Sequence, residues 1–182
     1  MPACNMRAGH WYDFPIRQFG LTAESCMPAP MTVTEILDPQ CVVVPLVAST
    51  KREAIDALVD ALSLTGRISD ASAVKKAVWE RELQRSTGIG EGLAIPHGKT
   101  AAAHGLCLAV GRLATPIEYD SIDHKPVRLV VLLVSPPERT SDHIQALGRI
   151  SRLMTNPAFR EQVYAATDPA QLLELFRTAE RG

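Results

Sequence analysis

The chain has 182 residues, 46% of them hydrophobic and 21% charged, with a formal net charge of −1. That balance describes one globular domain of ordinary size, long enough to bury a real core. It argues against a nucleic-acid binder with a basic stripe, and no apolar run approaches the roughly 18 residues of a membrane-inserted helix.

Residues 1–30 differ from the rest. They hold Pro2, Pro15, Pro28 and Pro30, two cysteines and no clear period. They read as an N-terminal extension, disordered or loosely docked, or as an over-called start with Met31 the true initiator. Asn5, Arg7, His10, Asp13 and Arg17 interrupt any apolar stretch there, so no secretory pattern forms. Cys4, Cys26, Cys41 and Cys107 are scattered and read as reduced thiols. A cytoplasmic protein is the expectation.

From Met31 to Gly182 the spacing predicts one domain of alternating elements. Thr34 to Leu37 suits a short helical turn. Val42 to Val47 is a β-branched run interrupted by Pro45, a short or edge strand. Ser49 or Thr50 caps a helix, with Glu53 as the capping-box acid to Thr50. Ile55, Leu58, Val59 and Leu62 fall on its apolar face, and Gly66 ends it. Ser69 caps a second helix with Val74, Ala77, Val78 and Leu83 inward, ending near Ser86. A glycine-rich loop follows, Ser86 to Gly92, then a short strand at Leu93–Ile95 that Pro96 interrupts. Leu106 to Leu113 and Val127 to Val134 are strands, joined by a turn in which Asp120 and Asp123 act as local acceptors. Leu129 to Val134 is the longest apolar run and suits a buried strand. Asp142 or Ser141 starts a helix through Ile144, Leu147, Ile150 and Leu153. Pro157 to Ala166 and Pro169 to Arg177 are two further helices, each with proline at its start. The pattern is α/β: a small mixed central sheet flanked by helices on both sides.

The glycines at 88, 90 and 92 do not make a nucleotide site. A Walker A loop needs four residues between glycine and Gly-Lys-Ser/Thr; here five separate Gly92 from Gly98-Lys99-Thr100. The stretch also reads G-x-G-x-G, not the G-x-G-x-x-G of a dinucleotide fold. His97 remains, held between Pro96 and Gly98. Proline fixes one backbone angle and glycine leaves the ring unshielded. A neutral imidazole, with an ordinary pKa of about 6.5, is a good nucleophile near neutral pH. The same His is equally compatible with a structural loop position. His97, His104, Cys107 and His143 offer zinc ligands on paper, but their spacing lacks the paired pattern of structural sites.

The stretch Arg81 to Lys99, RELQRSTGIGEGLAIPHGK, resembles the phosphorylation-site signature of type 2 IIA domains of the phosphotransferase system. It is most similar to the nitrogen-regulatory branch, with S-T-G-I-G-x-G-x-A-I-P-H-G-K. The similarity runs from about Met31 to Phe176 and takes in Thr34-Glu35-Ile36-Leu37, Tyr119-Asp120-Ser121-Ile122-Asp123 and His143-Ile144. The resemblance implies that His97 accepts a phosphoryl group from phosphohistidine on HPr or its nitrogen-branch relative. It passes the group to a IIB domain or holds it as a regulatory signal read by protein targets. By the same resemblance His143 is the second site histidine and Arg81 the site arginine. Phosphoryl transfer needs in-line placement and charge stabilisation. Arg81 suits a bidentate contact to phosphoryl oxygens, His143 a hydrogen bond, and Ser86 and Thr87 hydroxyl or backbone donation. The scheme calls for no cofactor and no metal. His10, His104 and His124 are expected at the surface.

Overall fold

The computed structural model describes residues 31–181; the proposed extension, His10 included, lies outside them. In chain order the elements are α1 (Val33–Ile36), β1 (Leu37–Leu46), α2 (Lys51–Leu64), α3 (Ala71–Gln84), β2 (Gly88–Gly90), β3 (Leu93–Ala94), β4 (His97–Lys99), β5 (Cys107–Ile117), β6 (Val127–Ser135), α4 (Thr140–Thr155), α5 (Pro157–Ala165) and α6 (Pro169–Arg181). The fold is α/β with a mixed, open, six-stranded sheet. Its order is β1-β5-β6-β3-β2, and β4 also pairs with β6. β6 is the hub. It runs antiparallel to β5 on one side and parallel to β3 and β4 on the other.

Consecutive residues of a strand point to opposite faces. Every residue from Cys107 to Gly111 and from Leu129 to Ser135 is buried, so both faces of the centre are covered. α2 packs against α3; α4 packs against α5, and α5 against α6. The flanking helices predicted from the sequence are therefore present. Among the described residues no helix is long and apolar enough to cross a membrane.

Pro45 lies in β1, an edge strand, between Val43 and Leu46, where the register with β5 shifts and no pairing partner falls to the proline. The strand begins five residues earlier than its β-branched run, at Leu37, because parallel pairing to β5 starts there. On α2, Ile55, Leu58, Val59 and Leu62 are all buried, as the period requires. Thr50 caps it by accepting from the Glu53 N–H, but the Glu53 carboxylate accepts from Ser49 N–H, not from Thr50.

Two helix faces depart from expectation. α3 is capped by Asp70, not Ser69; the Ser69 hydroxyl instead donates to the Ala102 carbonyl. Its inward stripe is Val74, Val78 and Glu82, while Leu83 is 68% exposed. The stripe repeats at exactly four residues and carries on through a carboxylate. On α4 the buried set is His143, Ala146, Ile150 and Met154, and Ile144 is 62% exposed. The helix is turned by about one residue from its apolar reading, which moves His143 into the interior. Arg139 occupies its cap position without a side-chain bond. α6 runs on to Arg181, where Glu180 accepts from Val33 N–H, Thr34 N–H and Arg149 Nε.

Candidate functional site

β4 is three residues long, and its register with β6 sets His97 beside Leu133, Gly98 beside Val134 and Lys99 beside Ser135. Helix α3 crosses close to this strand. A Cβ on Gly98 would lie 2.9 Å from Val78 Cγ2 and 3.0 Å from Val78 N. Gly98 is therefore demanded by a tight helix–strand approach, more than by exposure of the neighbouring ring.

The His97 Nδ1 lies 2.8 Å from the Ile95 carbonyl oxygen. A carbonyl only accepts, so the neutral ring carries its proton on Nδ1 and its lone pair on Nε2. The ring is half-buried. Burial holds its pKa below the ordinary value; the Arg81 and Lys99 charges push the same way, and the Ile95 carbonyl and Glu82 oppose them.

The His143 ring meets His97 edge-on, with centroids 5.5 Å apart and planes at 60°. His143 is 3% exposed, and its Nδ1 lies 2.8 Å from Ser135 Oγ. Burial, then the neighbouring His97 and Lys99, brings its pKa down to about 4. Both imidazoles are thus neutral at neutral pH. Lys99 Nζ donates to Thr140 Oγ1 at 2.9 Å and ties β4 to the first turn of α4.

Arg81 lies in the last turn of α3 and donates from Nη1 to the Arg85 carbonyl at 3.0 Å. It lines two clefts that share His97. One, of about 580 Å³, is also bounded by Ser86, Thr87, Ile122 and Leu147. The other, of about 390 Å³, is bounded by Lys99, His143 and Ile144. The fold therefore brings His97, His143 and Arg81 to one place.

Ser86 and Thr87 reach the same cleft, but their hydroxyl protons have partners within the fold. Ser86 Oγ donates to the Tyr119 carbonyl at 2.7 Å. The Thr87 hydroxyl and its N–H both go to Glu82 Oε2, the latter at 3.1 Å. Glu82 is 3% exposed, and its second oxygen faces Lys51 Nζ at 3.5 Å. Lys51 in turn donates to Asp120 at 2.7 Å. This buried carboxylate, reached from α2 and from the loop, is the residue that sequence reasoning missed. The i, i+4, i+8 spacing of Val74, Val78 and Glu82 held the signal.

The glycine-rich stretch forms strand β2, a turn through Glu91 and Gly92 with φ of 53° and 80°, and then β3. No helix N-terminus follows these glycines, so the stretch does not make a phosphate cradle of the nucleotide-binding kind. Asp123 holds the turn by accepting from Glu91 N–H and Lys125 N–H, whereas Asp120 serves the distant Lys51 and not its own turn. His104 and His124 are exposed. Among the described residues no group of three or more His, Cys, Asp or Glu is placed to hold a metal; Cys107 Sγ faces the Arg67 and Gly105 carbonyls.

Residues 35–179 match the family model described as "Phosphoenolpyruvate-dependent sugar phosphotransferase system, EIIA 2". The chain belongs to this family. It is 32% identical over 151 residues to the fructose-specific EIIABC component of Bacillus subtilis, covering 83% of the chain and only 24% of that protein. It is 34% identical over 139 residues to a nitrogen regulatory protein of Bradyrhizobium diazoefficiens, covering 76% of the chain and 90% of that relative. The crystal structure of nitrogen regulatory protein IIA-Ntr from Neisseria meningitidis superposes with a TM-score of 0.74 at 25% identity. That match covers 79% of this chain and 98% of the other. The EIIA domain described here thus has its fold in common with a nitrogen-regulatory relative, and its sequence with both branches.

Proposed function

We propose that the protein is a phosphocarrier in which His97 Nε2 accepts a phosphoryl group from a phosphohistidine of HPr or a nitrogen-branch relative. The observation that carries this reading is the Nδ1 contact to the Ile95 carbonyl, which leaves the Nε2 lone pair free in a cleft. In the step, the Nε2–P bond forms as the donor's N–P bond breaks, and that electron pair stays on the donor imidazole. The proton remains on Nδ1, where the Ile95 carbonyl stabilises the positive charge the ring gains. Transfer of this kind asks for placement and charge stabilisation. Arg81 supplies a guanidinium for the equatorial oxygens and His143 an N–H donor. Ser86 and Thr87 shape the loop and keep their hydroxyl bonds to Tyr119 and Glu82.

Exposed Ile89, Ile122 and Ile144 stand around the cleft and suit an apolar docking rim for the donor and for a IIB acceptor. The reading is tested with labelled phosphoenolpyruvate, enzyme I and HPr. The wild type takes up an acid-labile label, and His97→Ala takes up none. Full labelling of His97→Ala overturns the assignment.

The match over 90% of a nitrogen regulatory protein favours a second reading, in which protein targets sense the phosphorylation state without onward transfer. A phosphoryl group adds about two negative charges to the apolar rim, enough to switch a docking surface. Pull-downs with wild type, His97→Ala and His97→Asp separate the two. Partners that discriminate His97→Ala from His97→Asp support regulation; capture of a IIB domain alone supports transport.

A further inference from the structure

Ser135 closes β6 and is wholly buried, and its hydroxyl meets Nδ1 of His143 at 2.8 Å. Two directions are chemically available to this bond. If Nδ1–H donated to Oγ, the hydroxyl proton would need a second acceptor in a place without solvent. Among the described residues Ser135 Oγ has the His143 contact and no other. A buried donor left unpaired is costly, so the hydroxyl donates and Nδ1 accepts. A neutral ring then carries its proton on Nε2, the nitrogen left for the cleft shared with His97. The opposite tautomer would turn a lone pair on phosphoryl oxygens and repel them.

We infer that Ser135 is a positioning residue: it holds His143 as an Nε2–H donor beside the phosphoryl group on His97. The two imidazoles are thereby set in complementary tautomers by their partners on the fold. The Ile95 carbonyl makes one a nucleophile, and the Ser135 hydroxyl makes the other a donor. Burial keeps His143 neutral at working pH, so its tautomer, and not its charge, is what the hydroxyl controls.

This role rests on the phosphocarrier reading, and the experiment separates the two. Long-range ¹⁵N–¹H spectra of histidine-labelled wild type are expected to show His143 protonated at Nε2 and bare at Nδ1. A protonated Nδ1 in the wild type overturns the inference without any variant. In Ser135→Ala the His143 signals move toward a mixture of tautomers, and phosphoryl uptake from HPr slows by roughly fivefold to tenfold, as the loss of one orienting hydrogen bond predicts. Ser135→Thr, which keeps a hydroxyl on the same carbon, restores the single tautomer and most of the rate. A labelled wild type whose rate is indifferent to Ser135→Ala overturns this role alone. A wild type that takes no label overturns the phosphocarrier reading and this role with it.

Discussion

Where β4 meets α4, His97 and His143 each spend one ring nitrogen on the fold, on the Ile95 carbonyl and on Ser135, and keep the other for the cleft. Where the loop after α3 meets the same cleft, the Ser86 and Thr87 hydroxyls are spent on Tyr119 and Glu82. Both regions carry polar side chains within reach of one cavity. They differ in what is left over once the fold has been satisfied. An imidazole has two nitrogens and can be anchored and reactive at once. A hydroxyl has one proton, and a loop that needs it has none to lend. The imidazole side thus keeps one nitrogen of each ring off its anchor, and the loop side has its hydroxyl protons bound within the fold.

The sharpest way to break this contrast is to remove the carboxylate beneath the loop. Glu82→Ala leaves the buried Thr87 N–H without its acceptor and Lys51 without one of its two acids. A loss of about 3 kcal/mol in denaturant unfolding is expected. A loss below about 0.5 kcal/mol would mean that the loop does not depend on that anchor.

On the imidazole side the test is pH. The folded pKa of His143 is lowered from 6.5 to about 4, so the unfolded chain binds that proton first as pH falls. This contribution to stability is fully present above 6.5 and is lost progressively down to about 4, by up to about 3 kcal/mol. Wild type and His143→Gln, compared by chemical unfolding across that range, should diverge in slope. Parallel curves would mean that His143 is not held neutral by burial.

Arg81 lies between the two regions, on the helix that carries the loop and beside His97. Arg81→Ala should slow phosphoryl uptake by about tenfold. Its stability should change by no more than about 0.5 kcal/mol, because its bond to the Arg85 carbonyl is exposed. An unchanged rate removes its part in charge stabilisation. Ser86→Ala is the mildest change. It should cost about 1 kcal/mol through the lost Tyr119 bond and leave the rate within about twofold. A much larger rate loss would return Ser86 to the role that its sequence position suggests, a hydrogen-bond donor to the phosphoryl oxygens.

Much of this architecture is legible in one dimension. The α2 face at Ile55, Leu58, Val59 and Leu62, the buried strand at Leu129–Val134 and the prolines opening α5 and α6 follow from local period and backbone restriction. Pro96-His97-Gly98 marks a constrained histidine, and the long match from Arg81 to Lys99 marks the family. Local patterns carry this information because they report on each element's own geometry.

Three other features come from the way elements pack. Leu83 is outside and Glu82 inside because α3 meets β4 along its four-residue row, and that row does not follow hydrophobicity. Ile144 is outside and His143 inside because α4 docks over the end of β6, where Ser135 offers a hydroxyl. The pairing of residues 97 and 143, and the carbonyl and hydroxyl that set each ring, exist only once β4, β6 and α4 are assembled. Hydrophobic pattern names the faces that must leave water. Which polar group can go with them depends on a partner far along the chain, and a linear pattern does not contain that partner.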